Sequence, residues 1–91
     1  MKYAVVRSSR FRQDFKRIVK RGYDLSLLDA VIERLQAGEP LPEKYRDHAL
    51  TGDFAGHREC HITPDWLLIY KIEHGILILT LTRTGSHSDL F

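Results

Sequence analysis

The spacing of apolar residues changes twice along this chain, and the changes divide it into elements. Tyr3 to Arg7 (Tyr-Ala-Val-Val-Arg) is a short β-prone run, and the Ser8-Ser9 pair that follows is suited to cap a helix. From Arg10 to Arg21 the apolar residues Phe11, Phe15, Ile18 and Val19 recur at helical spacing, so the intervening basic residues fall on the remaining surface of a first helix. Gly22 interrupts that pattern. Asp24 can cap a second helix with the stripe Leu25, Leu28, Val31, Ile32 and Leu35, which makes a helical hairpin. Gly38, Pro40 and Pro42 end the helical spacing, and Glu39 to Thr51 reads as an extended, partly structured connection of the kind that carries function. After Gly52 the pattern becomes β, with strands over about Phe54 to Ile62, Trp66 to Ile72 and Ile76 to Thr82. The connections Thr63-Pro64-Asp65 and Glu73-His74-Gly75 are short, which predicts antiparallel neighbours. The expected architecture is α+β with two layers, a helical hairpin packed on a small antiparallel sheet in the order βααβββ.

Composition narrows the class without changing this outline. A chain of 91 residues supports one core, so residues 1–91 are expected to form a single domain. Hydrophobic residues at 43% and charged residues at 29% are ordinary for a folded protein. The longest apolar runs, Trp66 to Tyr70 and Ile76 to Leu79, are far shorter than a membrane span, and the N-terminus lacks the apolar core of a signal peptide. A cytoplasmic protein with no membrane partner is expected. Cys60 is the one cysteine, so no internal disulfide can form, and it reads most simply as a small strand residue.

Charge is distributed unevenly. Residues 1–21 hold eight basic groups against Asp14 alone, whereas the rest of the chain holds six basic groups against eleven acidic ones. A basic pole favours a polyanionic partner, since each phosphate neutralised releases condensed counterions. A solvated helix face is the plainer reading of the same residues.

Four of the five histidines, His48, His57, His61 and His87, fall in the connection, in the strands after it or in the tail. Alternation along the first of these strands puts His57, Glu59 and His61 on one face and Arg58, Cys60 and Ile62 on the other, and only one face can meet the helices. The spacing of His57, His61 and Asp65 matches no specific metal motif, so neither a metal nor another cofactor is expected. Phosphodiester cleavage in RNA fits better. The 2′-hydroxyl must lose a proton, the 5′-oxygen must gain one, and the phosphorus between them accumulates negative charge. His48, His61, Asp65, Arg83 and His87 supply such a set if the fold brings them together.

The run from Lys44 to Gly52 contains Asp47-His48-x-Leu50-x-Gly52, a second run has His61-x-x-Pro64-Asp65-Trp66, and the tail has Arg83-x-Gly85-Ser86-His87. Together and in this order, from about residue 41 to the C-terminus, these pieces resemble the YafQ-type branch of the RelE/ParE toxin superfamily. The N-terminal half is similar in pattern only, a strand and a basic helical hairpin. The resemblance implies a RelE-like fold and a ribosome-dependent endoribonuclease that cuts mRNA, the toxin of a type II toxin–antitoxin pair. It implies catalytic positions at His48, His61, Asp65 and His87, a phosphate-stabilising position at Arg83, and site support or RNA contact from Trp66 and Phe91. Trp66 also begins an apolar strand, where core packing is an equal expectation. The basic face formed by Arg10, Arg12, Lys16, Arg17, Lys20 and Arg21 is then the expected ribosome-binding surface. The implied partner is a cognate antitoxin, a ribbon-helix-helix protein of the DinJ/RelB kind, through which alone operator DNA would be reached. The same superfamily holds non-catalytic gyrase-binding toxins. Those lack this histidine set, and a catalytically inactive RNA-binding component is the other alternative.

Overall fold

The computed structural model describes residues 2–91. Strand β1 (Ala4–Arg7) passes through Ser8 into helix α1 (Ser9–Lys20). The Ser8 hydroxyl oxygen accepts the Phe11 N–H at 3.0 Å while its proton goes to the Thr82 carbonyl at 2.7 Å, so the cap both starts the helix and ties it to the sheet. Such a cap is worth about 1 kcal/mol. Helix α2 (Leu25–Ala37) starts at Asp24, whose carboxylate accepts from the Ser26 N–H at 3.1 Å. It stops at Gly38, where φ is +76° and a Cβ would come within 2.7 Å of the Lys2 side chain. The buried face of α2 is Leu28, Val31 and Leu35, as its spacing predicts. On α1 the buried residues are Phe11, Asp14 and Ile18, whereas Val19 is 47% exposed. A carboxylate therefore stands within an otherwise apolar stripe.

The remaining strands are β2 (His48–Ala49), β3 (Arg58–Thr63), β4 (Trp66–Glu73) and β5 (Ile78–Gly85), followed by one turn of helix α3 (His87–Leu90). They form one sheet in the order β1-β5-β4-β3-β2. Strands β3, β4 and β5 make the expected antiparallel meander. The sheet as a whole is mixed rather than antiparallel, because β1 runs parallel to β5, from Ala4 opposite Ile78 to Arg7 opposite Leu81. A parallel neighbour needs a long crossover, and here the helical hairpin and the meander together provide it. The first strand of the meander is also shorter than its composition suggests. A 3-10 turn over Gly52–Phe54 and a positive φ at Gly56 delay pairing until Arg58, which leaves His57 outside the strand.

The two faces of the meander have different company. Cys60, Ile62, Leu68, Tyr70, Leu79 and Leu81 join the core with Phe11, Ile18, Leu28, Val31 and Leu35. Alternation puts Glu59, His61, Leu67 and Ile69 on the opposite face, and pairing places His48 opposite Glu59 and Arg83 opposite Ile69. Leu67 and Ile69 are fully buried although the helices lie on the other side. Strand β4 is thus covered on both faces, which accounts for its unbroken apolar run from Trp66 to Tyr70.

Candidate active site

The helix-free face gathers three imidazoles, two of them at one carboxylate. His48 Nδ1 lies 2.7 Å from the Arg46 carbonyl and His61 Nδ1 lies 3.3 Å from the Pro64 carbonyl. A carbonyl only accepts, so Nδ1 carries the proton in both rings. Both Nε2 atoms point to the same place. His48 Nε2 is 3.0 Å and His61 Nε2 3.9 Å from Glu59 Oε2. The Glu59 side chain is only 7% exposed, and its Oε1 is buried without a hydrogen-bond partner among the described residues. A buried carboxylate held between two rings is positioned to stabilise the positive charge that an imidazole gains when it takes a proton.

The third imidazole arrives from the tail. Beyond β5, Gly85 has a φ of +151°, and a Cβ there would come 2.9 Å from the Asp89 carboxylate; glycine lets the chain turn back into α3. Ser86 and Asp89 cap that turn reciprocally, with the Ser86 N–H donating to Asp89 Oδ2 at 2.9 Å and the Asp89 N–H donating to Ser86 Oγ at 3.3 Å. Arg21, just past the end of α1, grips the same carboxylate at 2.6 and 3.1 Å. This grip holds the Asp89 carboxyl well below the usual carboxylate range. The His87 ring ends up 6.4 Å from that of His61, which is itself 6.2 Å from that of His48. Phe91 continues the series, 5.7 Å from His87 and edge-on to Phe54 at 6.0 Å, and it is 62% exposed.

Asp65 sits in the turn between β3 and β4 and accepts the main-chain N–H of His87 at 3.2 Å. It therefore anchors the tail and does not touch the His87 imidazole by this bond. Arg83 is held by α1. Its Nε and Nη2 donate to the two oxygens of Asp14 at 2.7 and 3.1 Å, and its side chain is 11% exposed. The Asp14 carboxylate raises the Arg83 pKa further above its ordinary value, so the group is a fixed cation. Trp66 is 3% exposed, donates Nε1–H to Thr84 Oγ1 at 2.9 Å and meets Tyr23 edge-on at 4.9 Å. Trp66 thus packs in the core, as its place in an apolar strand suggests.

On the basic face Arg10, Arg12, Lys16 and Lys20 are exposed. Arg21 is engaged with Asp89, and Arg17 lies 3.8 Å from Asp89 and 3.5 Å from Asp14, so these two also fasten the tail. Cys60 is fully buried, and burial first, then the charges of Asp47 and Glu59, pushes its thiol up, which leaves it inert as a nucleophile. His57 packs against Phe54 at 6.0 Å and His74 bonds Tyr3 at 3.0 Å, both apart from the cluster. Among the described residues no three His, Cys, Asp or Glu side chains converge as a metal-binding set.

Sequence reasoning missed Glu59 and Asp14 as members of this arrangement. Each had a signal: Glu59 is an acidic residue in mid-strand on the same face as His61, and Asp14 lies on the stripe of Phe11 and Ile18. A third omission is Asp47, which binds Arg58 at 3.3 Å and accepts the Tyr70 hydroxyl proton, pinning the segment that carries His48.

Residues 3–91 match the family model described as "Bacterial toxin of type II toxin-antitoxin system, YafQ". The chain is 39% identical over 85 residues to the mRNA interferase toxin YafQ of Escherichia coli K12, covering 92% of this chain and 90% of that protein. The crystal structure of a metal-bound toxin from Helicobacter pylori superposes with a TM-score of 0.91 at 45% identity, covering 98% of this chain and 99% of that one. YafQ from the Escherichia coli DinJ–YafQ toxin–antitoxin complex superposes with a TM-score of 0.89 at 36% identity, covering 100% and 99% of the two chains. With a match that takes in both the helical hairpin and the imidazole-bearing sheet, the chain belongs to the YafQ family of bacterial toxins of type II toxin–antitoxin systems.

Proposed function

We propose that this chain is an mRNA interferase, an endoribonuclease that acts in the cytoplasm on messages bound to the ribosome and is held in check by a cognate antitoxin. The observation that carries this reading is the convergence of His48 Nε2 and His61 Nε2 on the buried Glu59, with the His87 ring 6.4 Å from His61. The antitoxin is inferred from the DinJ–YafQ complex of the relative, and a ribbon-helix-helix protein of the DinJ/RelB kind is the form we expect.

In the mechanism, His61, whose Nε2 at 3.9 Å makes no hydrogen bond to Glu59, accepts the proton of the 2′-hydroxyl. The 2′-oxygen attacks the adjoining phosphorus and the bond to the 5′-oxygen breaks. His87, at the other end of the cluster, gives a proton to that leaving oxygen. The products are a 2′,3′-cyclic phosphate and a 5′-hydroxyl, and no metal enters the balance. Glu59 stabilises the imidazolium formed in the first step by its opposite charge. Asp65 positions His87 through its main chain. Arg83, fixed by Asp14, keeps a positive charge at the end of β5, where the phosphorane would gain negative charge. Phe91 offers an exposed ring to an unstacked base. Arg10, Arg12, Lys16 and Lys20 are the cations of the basic face left for ribosomal RNA.

Single-turnover cleavage of a message on a stalled, programmed ribosome tests the reading. The wild-type chain should cut translated but not untranslated copies and leave a cyclic phosphate. His87→Gln, which retains polarity but not the titratable proton, should be slower by on the order of a hundredfold or more. Uncut message with the wild-type chain would overturn the assignment.

A further inference from the structure

Strand β2 covers β3 only at Arg58 and Glu59, so the edge of β3 from Cys60 onward is free of strand pairing. A 3-10 turn over Glu43–Tyr45 approaches this edge from one side and α2 from the other. Between them lies a cavity of about 380 Å³ whose walls include Leu27, Tyr45, Pro64 and His61, with Lys44 and Arg46 beside Tyr45. His61 is shared with the candidate active site, so the cavity opens directly off the imidazole cluster.

The lining suits a ligand with a flat apolar part and a negative charge. Tyr45 is half-buried against the core, which fixes its ring, and Leu27 and Pro64 give apolar surface. Lys44 Nζ stands 5.1 Å from the centre of the Tyr45 ring. Lys44 and Arg46 are exposed, and neither has a carboxylate partner among the described residues. Arg46 has a positive φ of 48°, and its carbonyl orients His48, so the segment carrying these cations is registered to the catalytic cluster. An aromatic ring with cations near it is a usual arrangement for a single-stranded nucleotide, because a ring stacks on any base and cations meet its phosphate.

We propose that this cavity receives the nucleotide adjoining the scissile phosphate on the His48–His61 side, with its base against Tyr45, Leu27 and Pro64 and its phosphate at Lys44 and Arg46. The cavity is then the part of the protein that reads the message beside the cut. This proposal rests on the ribonuclease reading and adds a substrate subsite to it. A peptide segment of an antitoxin is the competing occupant. The shared His61 wall favours RNA, since only the substrate must thread from this cavity into the cluster.

The test is single-turnover cleavage on stalled ribosomes programmed with messages that differ only in the bases flanking the cut. Leu27→Trp fills the cavity from an exposed helix position and replaces no imidazole. It should flatten the base preference of the wild-type chain and raise the concentration needed for half-maximal rate by about tenfold or more, the scale of one lost stacking contact. The double variant Lys44→Gln/Arg46→Gln, on two exposed positions, should raise that concentration with the base preference retained, and it covers the case in which Leu27→Trp fails to fold. Unchanged preference and concentration dependence in folded variants would overturn the subsite, as would variants that cleave normally but bind antitoxin less tightly. A wild-type chain that cuts no message would overturn the ribonuclease reading and the subsite with it.

Discussion

Asp14 and Arg83 are 69 residues apart in sequence and form a two-point ion pair in which Asp14 also accepts the Thr84 N–H at 3.1 Å. This one carboxylate holds α1 against the end of β5, where the tail carrying His87 begins. It is 3% exposed and Arg83 11%, so removing its charge leaves a largely covered guanidinium without its counter-charge. Asp14→Asn should lower unfolding stability by about 3 kcal/mol, the scale of a broken buried pair. Urea denaturation checks this, and an unchanged midpoint would show that the pair contributes nothing net.

Glu59 faces two Nε2 atoms and makes no contact that the core requires. Glu59→Gln preserves shape and removes the charge opposite the imidazolium. Cleavage should fall on the order of a hundredfold while the melting temperature and ribosome association hold. A variant with a wild-type rate would remove Glu59 from the mechanism.

The tail should be sensitive to acid in a defined sense. Arg21 lowers the Asp89 carboxyl below the usual carboxylate range. A group with a depressed folded pKa gives stability that is fully present above its unfolded value and is lost as the pH falls through the folded value. Arg21→Gln should therefore melt lower than wild type at neutral pH. The gap should narrow as the pH falls below about 4, where Asp89 in the variant takes up its proton. Melting curves from pH 7 to pH 2 decide the matter, and a gap independent of pH would contradict the assignment.

Tyr70 is buried, and burial together with its bond to Asp47 pushes its hydroxyl pKa up, so it stays a donor at all ordinary pH. Tyr70→Phe leaves Asp47 with Arg58 alone. Stability should fall by about 1 kcal/mol. Cleavage should slow more than that loss explains, because Asp47 precedes His48. Comparing the rate well below the melting temperature with the His48 ring resonances by NMR separates a moved imidazole from a merely weaker fold.

The proposed proton transfers use side chains alone. Chelator-treated protein, given back the magnesium that ribosomes need, should cleave at the untreated rate. Activity restored only by zinc or copper would require the imidazoles to be reread as ligands, as the metal-bound relative from Helicobacter pylori would then suggest.

Periodicity, capping residues and turn chemistry are local, and what depends on them was legible in the chain: α1 behind Ser8, α2 between Asp24 and Gly38, the antiparallel meander, and a histidine set on and beside it. Alternation even put Glu59 on the same face as His61. Tertiary structure alone decided that β1 runs parallel beside β5, that Trp66 is sealed under the site, and that Arg17 and Arg21 fasten the tail as well as adding charge. It also decided that Arg83 answers Asp14 and that Glu59 lies between two imidazoles. The reason is one of range. The side-chain period of a helix or strand is fixed by its own backbone, whereas a buried charge takes whichever opposite charge the packing of distant elements brings within reach, and no local spacing encodes that meeting.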